Sequence, residues 1–181
     1  MAKIIIISGD LAAGKSVLAK RLSRHYQIPY FSKARFKEIL GEKISFEGID
    51  ENKNISRSSY ALLRHIGWRV AQVKGSVILE ANFHTEHLEQ IKRDVEFTGH
   101  KVELLYLTGD LDVLFERFLY REHYENRHPV HLTHPLRSLE EFENLPKWFP
   151  KFYFELKEIN LLVKDENEYK TWDDKSDGMK Y

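Results

Sequence analysis

Apolar runs of strand length alternate along this chain with segments whose apolar residues recur every three or four positions. Lys3 to Ser8 is β-branched and apolar without alternation, as in a central strand buried on both faces. Leu18, Leu22 and Tyr26 then lie four apart, which predicts one helical stripe. Ile28 to Phe31 reads as a short second strand, and a helix from about Lys33 to Leu40 follows it. Leu63, Ile66, Val70 and Val73 have helical spacing, and Ser76 to Leu79, after Gly75, reads as a third strand. Leu88, Ile91 and Val95 mark a helix, Val102 to Leu107 a fourth strand, and Leu111, Leu114, Phe115 and Phe118 the helix after it. This alternation predicts an α/β fold with a mostly parallel sheet.

Between these elements, Gly41 to Ile55 reads as polar and irregular, and Asn126 to Ser138, with His128, His131 and His134 and two prolines, as a loop or broken segment. Leu139 to Leu145 predicts a short helix, Ile159 to Val163 a fifth strand, and Asp165 to Tyr181 a loose polar tail. There is no internal repeat or linker, so residues 1–181 are expected to form a single domain.

Composition narrows the function. The 28 basic and 28 acidic residues cancel, which argues against nucleic acid as an obligate partner. With no cysteine, disulfides and thiolate chemistry are excluded. The apolar run at Ile4 to Ile7 is far too short for a signal segment or a bilayer span, and Asp10 interrupts it. A soluble cytoplasmic protein without a membrane partner is expected; the oligomeric state is not readable.

The chemistry begins at Gly9-Asp10-Leu11-Ala12-Ala13-Gly14-Lys15-Ser16, which fits GxxxxGK[ST], with Val17 next in the helix. A chain that wraps phosphate oxygens must present several N–H groups to them, and glycine permits the backbone angles and the close approach. The loop opens a helix whose free N–H groups and dipole favour an anion. Lys15 is expected to reach the β- and γ-phosphates of ATP, and the Ser16 hydroxyl to bind Mg²⁺. The strand before the loop and the amphipathic helix after it are the setting that this motif requires. Asp10 would repel phosphate if it pointed inward, so its side chain is expected to point outward, toward Mg²⁺-bound water, the acceptor or solvent.

A P-loop on the first strand of so short a chain resembles the small P-loop kinases: nucleoside monophosphate, shikimate and gluconate kinases, chloramphenicol phosphotransferase and the zeta toxins. The resemblance covers roughly residues 1–130, and is nearest to uncharacterised ATP-binding proteins related to the last two. It is carried by GDLAAGKS, FSKARFKEIL after the second strand, VILEANF at the third, and an arginine series ending in ENRHPVH. It implies a three-layer P-loop NTPase fold, a five-stranded parallel sheet with helices on both faces, a helical lid at about 115–137, and transfer of the γ-phosphoryl group of ATP to a small hydroxylated acceptor. Arg117 and Arg121 share a helix face, with Arg127 just beyond, and look like lid arginines that close over ATP. Glu116, Glu122 and Glu125 offer exposed ion pairs as the competing explanation.

The chain departs from the family after the second strand. Phe31-Ser32-Lys33-Ala34-Arg35 lacks the aspartate that many of these kinases use toward the acceptor or Mg²⁺, and Ala34 takes its position. Glu80, at the C-terminal end of the third strand, is the best remaining carboxylate, as a base or a holder of Mg²⁺ water, with a structural strand-end role as the alternative. Asp50 and Glu51 are weaker candidates in the loop expected to face the acceptor. Lys33 and Lys37 share a helix face and either bind an anionic acceptor or sit, with Arg35, on a solvated helix built around Phe36, Ile39 and Leu40. His123, His128, His131 and His134 fit no metal-site spacing, and Trp148, Phe149, Phe152, Tyr153 and Phe154 read as core or lid packing. The expectation is an ATP-dependent phosphotransferase with Lys15, Glu80, Arg117 and Arg121 as its catalytic groups. Its rivals are a nucleotide or polynucleotide-end kinase, a toxin-like kinase, and a nucleotide-binding regulatory protein with little or no kinase activity. ATP is preferred over GTP because no N/T-K-x-D signature is present.

Overall fold

A computed structural model describes residues 3–96, 98–131, 138–145 and 155–160. The chain runs β1 (Lys3–Gly9), α1 (Lys15–Tyr26), β2 (Tyr30–Ser32), α2 (Lys33–Lys43), α3 (Ile49–Gln72), β3 (Val77–Glu80), α4 (Thr85–Glu96), β4 (Lys101–Thr108), α5 (Leu111–Tyr124), a 3₁₀ turn at Pro129–His131, α6 (Leu139–Glu143) and β5 (Glu155–Asn160). Every strand pairing is parallel, in the order β2-β3-β1-β4-β5. Four strands, β2-β3-β1-β4, are described with their side chains; β5 is described only as backbone along β4.

The isoleucine run explains why β1 is central. Ile4 and Ile6 point into one core with residues of α3 and α4, among them Leu63, Leu88 and Ile91. Ile5 and Ile7 point into a second core with Ala19 of α1 and Leu114 and Phe118 of α5. Ile4, Ile6 and Ile7 are fully buried, and each such side chain contributes about 1.5–3 kcal/mol. Parallel order puts the C-terminal ends of β1, β2, β3 and β4 on one edge, where Gly9, Ser32, Glu80 and Thr108 lie.

Several boundaries differ from expectation. The segment Gly41 to Ile55 is mostly helical: α2 runs on to Lys43 and α3 starts at Ile49. The buried stripe of α3 is Asn52, Ile55, Ser59, Leu63, Gly67 and Ala71. Half of those residues are polar or lack a side chain, so the stripe has the helical period without the hydrophobicity that would reveal it. Tyr26 and Val73, expected on buried stripes, are exposed at helix ends. β2 starts after Pro29, and Ile28 packs on the second core from outside the strand. β5 begins at Glu155, ahead of the expected Ile159. The end of that predicted strand, the tail at 165–181, His134 and the aromatic group at 148–154 lie outside the described residues. Among the described residues no helix is long and apolar enough to cross a membrane.

Candidate active site at the P-loop

The loop from Gly9 to Ser16 turns sharply off β1. Gly9 has φ 136°, and a Cβ there would lie 2.0 Å from the Leu107 carbonyl oxygen of β4. Only glycine lets β1 and β4 stay in register at this point. Asp10 N–H then donates to that same carbonyl at 2.8 Å. Gly14 is left-handed at the N-cap of α1 (φ 83°), and no side chain caps this helix. Its first N–H groups therefore remain available to an anion.

Lys15 folds back over the loop. Its Nζ donates to Gly9 O at 3.1 Å and Asp10 O at 2.6 Å. These neutral acceptors aim the ammonium without cancelling its charge. Burial lowers its pKa to about 8; the negative charges of Glu80 and Asp10 oppose this, and Arg121 adds to it. Arg121 also pairs with Glu125 at 3.2 Å, between two exposed side chains, so this ion pair is weak and easily exchanged. Arg117 is half-buried one turn earlier on α5. Arg127 pairs with Glu122, and both are largely buried. A second end of this segment is fixed more firmly: Val130 is fully buried, and its carbonyl accepts from Lys37 Nζ at 2.7 Å and Asn52 Nδ2 at 2.9 Å.

Glu80 is 5% exposed. Ser16 Oγ donates to its Oε2 at 3.2 Å, and Glu80 makes no ion pair among the described residues. Two hard oxygen groups meet beside the phosphate loop, one of them a buried carboxylate. This donor set fits Mg²⁺, which takes one or two carboxylate or hydroxyl ligands and completes its shell with water and phosphate oxygens. Asp10 is placed elsewhere. Its carboxylate accepts from Tyr106 Oη at 3.3 Å and Thr108 Oγ1 at 2.8 Å, both on β4. It anchors the loop to the sheet. Asp50 and Glu51 are exposed in the first turn of α3, where Asp50 pairs with Lys53.

Of Lys33, Arg35 and Lys37 on α2, the solvated reading fails for two. Lys37 is buried, and Lys33 is desolvated enough for its pKa to fall to about 8, through burial first and the charge of Lys37 next. Arg35 alone faces outward, paired with Glu38 at 3.0 Å. Lys33 Nζ sits over the Tyr60 ring, 5.0 Å from its centre. Tyr60 in turn stacks on His87 at 3.9 Å and donates its hydroxyl to Asn82 O. Nothing in the spacing of Tyr60 or His87 marked them; they join the site only because α3 and the start of α4 flank the end of β3. The other histidines have local duties: His123 Nδ1 lies 2.7 Å from Leu119 O, His128 accepts from Val130 N–H, and His131 meets Glu38 at 3.0 Å.

No family model and no curated protein matches the chain. Solved structures do. A protein of Chloroflexus aurantiacus named a "putative kinase" superposes with a TM-score of 0.75 at 23% identity, over 96% of this chain and 97% of the other. The fold is that of P-loop kinases. Kti12 of Chaetomium thermophilum, solved with ADP-AlF3, follows at TM-score 0.59 and 19% identity, over 95% and 96% of the two chains. A sugar kinase from Janibacter sp., unliganded, matches at 0.58 and 14%, over 96% and 95%. This P-loop kinase fold thus spans almost the whole of each chain, and the particular tie to chloramphenicol phosphotransferase and the zeta toxins finds no support among these likenesses.

Proposed function

We propose that the protein is an ATP-dependent phosphotransferase that moves the γ-phosphoryl group of ATP to a hydroxyl of a small acceptor. The observation that carries this reading is Lys15, buried and held by Gly9 O and Asp10 O beside the Ser16–Glu80 pair, at the open end of α1. The loop amides and the α1 N-terminus bind the triphosphate, and Lys15 offsets charge on the group in flight. Ser16 and Glu80 would hold Mg²⁺, which when bound draws charge from the β- and γ-oxygens. Arg121, released from Glu125, closes from α5.

In the transfer, the bond from Pγ to the ADP oxygen breaks, a bond from the acceptor oxygen to Pγ forms, and the hydroxyl proton leaves to water. Ala34 supplies no base where the family has an aspartate. A loose transition state tolerates this, because the acceptor oxygen carries little negative charge until late. The test is ADP release from ATP with a panel of nucleosides, sugars, aminoglycosides and nucleotide sugars. Acceptor-dependent release that disappears in Lys15→Ala supports the reading; no release with any acceptor removes it.

The alanine at position 34 also favours a second reading, a nucleotide-binding regulatory protein, and the likeness to Kti12 is compatible with it. Tight binding of ATP with slow, acceptor-independent hydrolysis would favour that alternative.

A further inference from the structure

Lys33 lies outside the phosphate loop yet feels the charge of Glu80. It is the first residue of α2, directly after Ser32, which pairs in register with Glu80. Its ammonium is desolvated and makes no ion pair among the described residues. Burying an unpaired ammonium is costly, and the Tyr60 ring beneath it offsets only part of that cost. Lys37 lies one turn on, on the same face, buried, with a neutral carbonyl as its partner. Arg127 is close enough to depress the Lys37 pKa, after burial. Lys33 and Lys37 thus stand together beside Glu80, which is already bonded to Ser16.

We propose that the acceptor is itself an anion, bearing a phosphate monoester that Lys33 and Lys37 bind. Two ammonium groups one helical turn apart match a dianion better than a single carboxylate, and lysine binds phosphate as a point charge. Tyr60, held by His87 and Asn82, keeps its ring beneath the Lys33 ammonium and so fixes where that charge stands. Lys33 is then a specificity-determining residue that selects a charged acceptor, next to Ala34, where the family's aspartate would repel one. The inference rests on the kinase reading for the word acceptor, but its test does not.

The full chain, saturated with AMPPNP and Mg²⁺, is titrated by calorimetry with matched pairs: glycerol and glycerol 3-phosphate, glucose and glucose 6-phosphate, adenosine and AMP. In at least one pair the phosphate should bind about tenfold tighter or better. Lys33→Gln should remove that preference, and Lys33→Arg, which keeps the charge, should retain most of it. Equal or tighter binding of the neutral member in every pair, no binding of any phosphate, or a preference that survives in Lys33→Gln overturns the proposal. The same pairs are then assayed for ADP release from ATP. Lysine-dependent phosphate binding without transfer would defeat the kinase reading and leave this one standing; transfer to neutral members alone would do the reverse.

Discussion

Replacing Glu80 by glutamine changes one charge and almost no volume. Glu80 is 5% exposed and accepts from Ser16 Oγ at 3.2 Å, a bond that the glutamine oxygen can still accept. The fold should therefore survive, with a loss of about 1 kcal/mol or less, since the bond is neutralised and not orphaned. The functional loss should be larger. Removing a charged group that fixes a metal or its water typically costs 10–100-fold, so kcat/KM should fall by about that factor, roughly 1.4–2.8 kcal/mol of transition-state stabilisation. The loss should appear mainly as a raised Mg²⁺ requirement. A second signature follows from the lysines. Glu80 is the leading charge that raises the Lys15 pKa and also raises that of Lys33. Without it both fall below their present value of about 8, so the alkaline limb of the pH profile should move toward neutrality. The assay is ADP release at saturating ATP, titrated with Mg²⁺ at several pH values. An unchanged Mg²⁺ requirement with an unchanged alkaline limb would refute the assignment of Glu80 to the metal side of the site.

Gly9→Ala should cost about 3 kcal/mol or more, read as a lowered Tm, because its Cβ would meet the rigid Leu107 backbone at 2.0 Å with φ at 136°. Asp10→Ala should lower stability by about 1–3 kcal/mol by removing the acceptor that Thr108 Oγ1 and Tyr106 Oη share, yet leave the Mg²⁺ requirement unaltered. Lys15, with its pKa at about 8, is half neutral at that pH, and a bound phosphate raises the pKa. Nucleotide binding at pH 8 should therefore take up about half a proton at Lys15, seen as a dependence of the calorimetric heat on buffer ionisation enthalpy. Affinity should fall as the pH rises further.

What could be read in advance was whatever chemistry is local. The phosphate loop needs contiguous residues, a strand before and a helix after, so Gly9 to Ser16 was complete in the sequence. The run Ile4 to Ile7 announced a strand covered on both faces, and the two cores on its opposite sides are the physical content of that pattern. The first half of α3 escaped because its buried positions include Asn52, which is there to hold Val130, and Ser59. Lys37 escaped for a similar reason. A lysine on an amphipathic helix is expected in water, and only the packing of the Pro129–His131 turn against α2 and α3 brings a carbonyl to it. Asp10 shows the limit of argument by exclusion: its partners are on β4, far along the chain. Tyr60 and His87 carry no motif at all, and their place beside Lys33 is a product of topology.

Titration of AMPPNP with Mg²⁺ into the purified chain, compared with Lys15→Ala, tests the P-loop assignment most directly. Saturable binding to a single site, weakened at least about tenfold by the substitution, is the predicted result. A wild-type chain that releases no heat of binding, or a variant that binds as tightly as wild type, would contradict it.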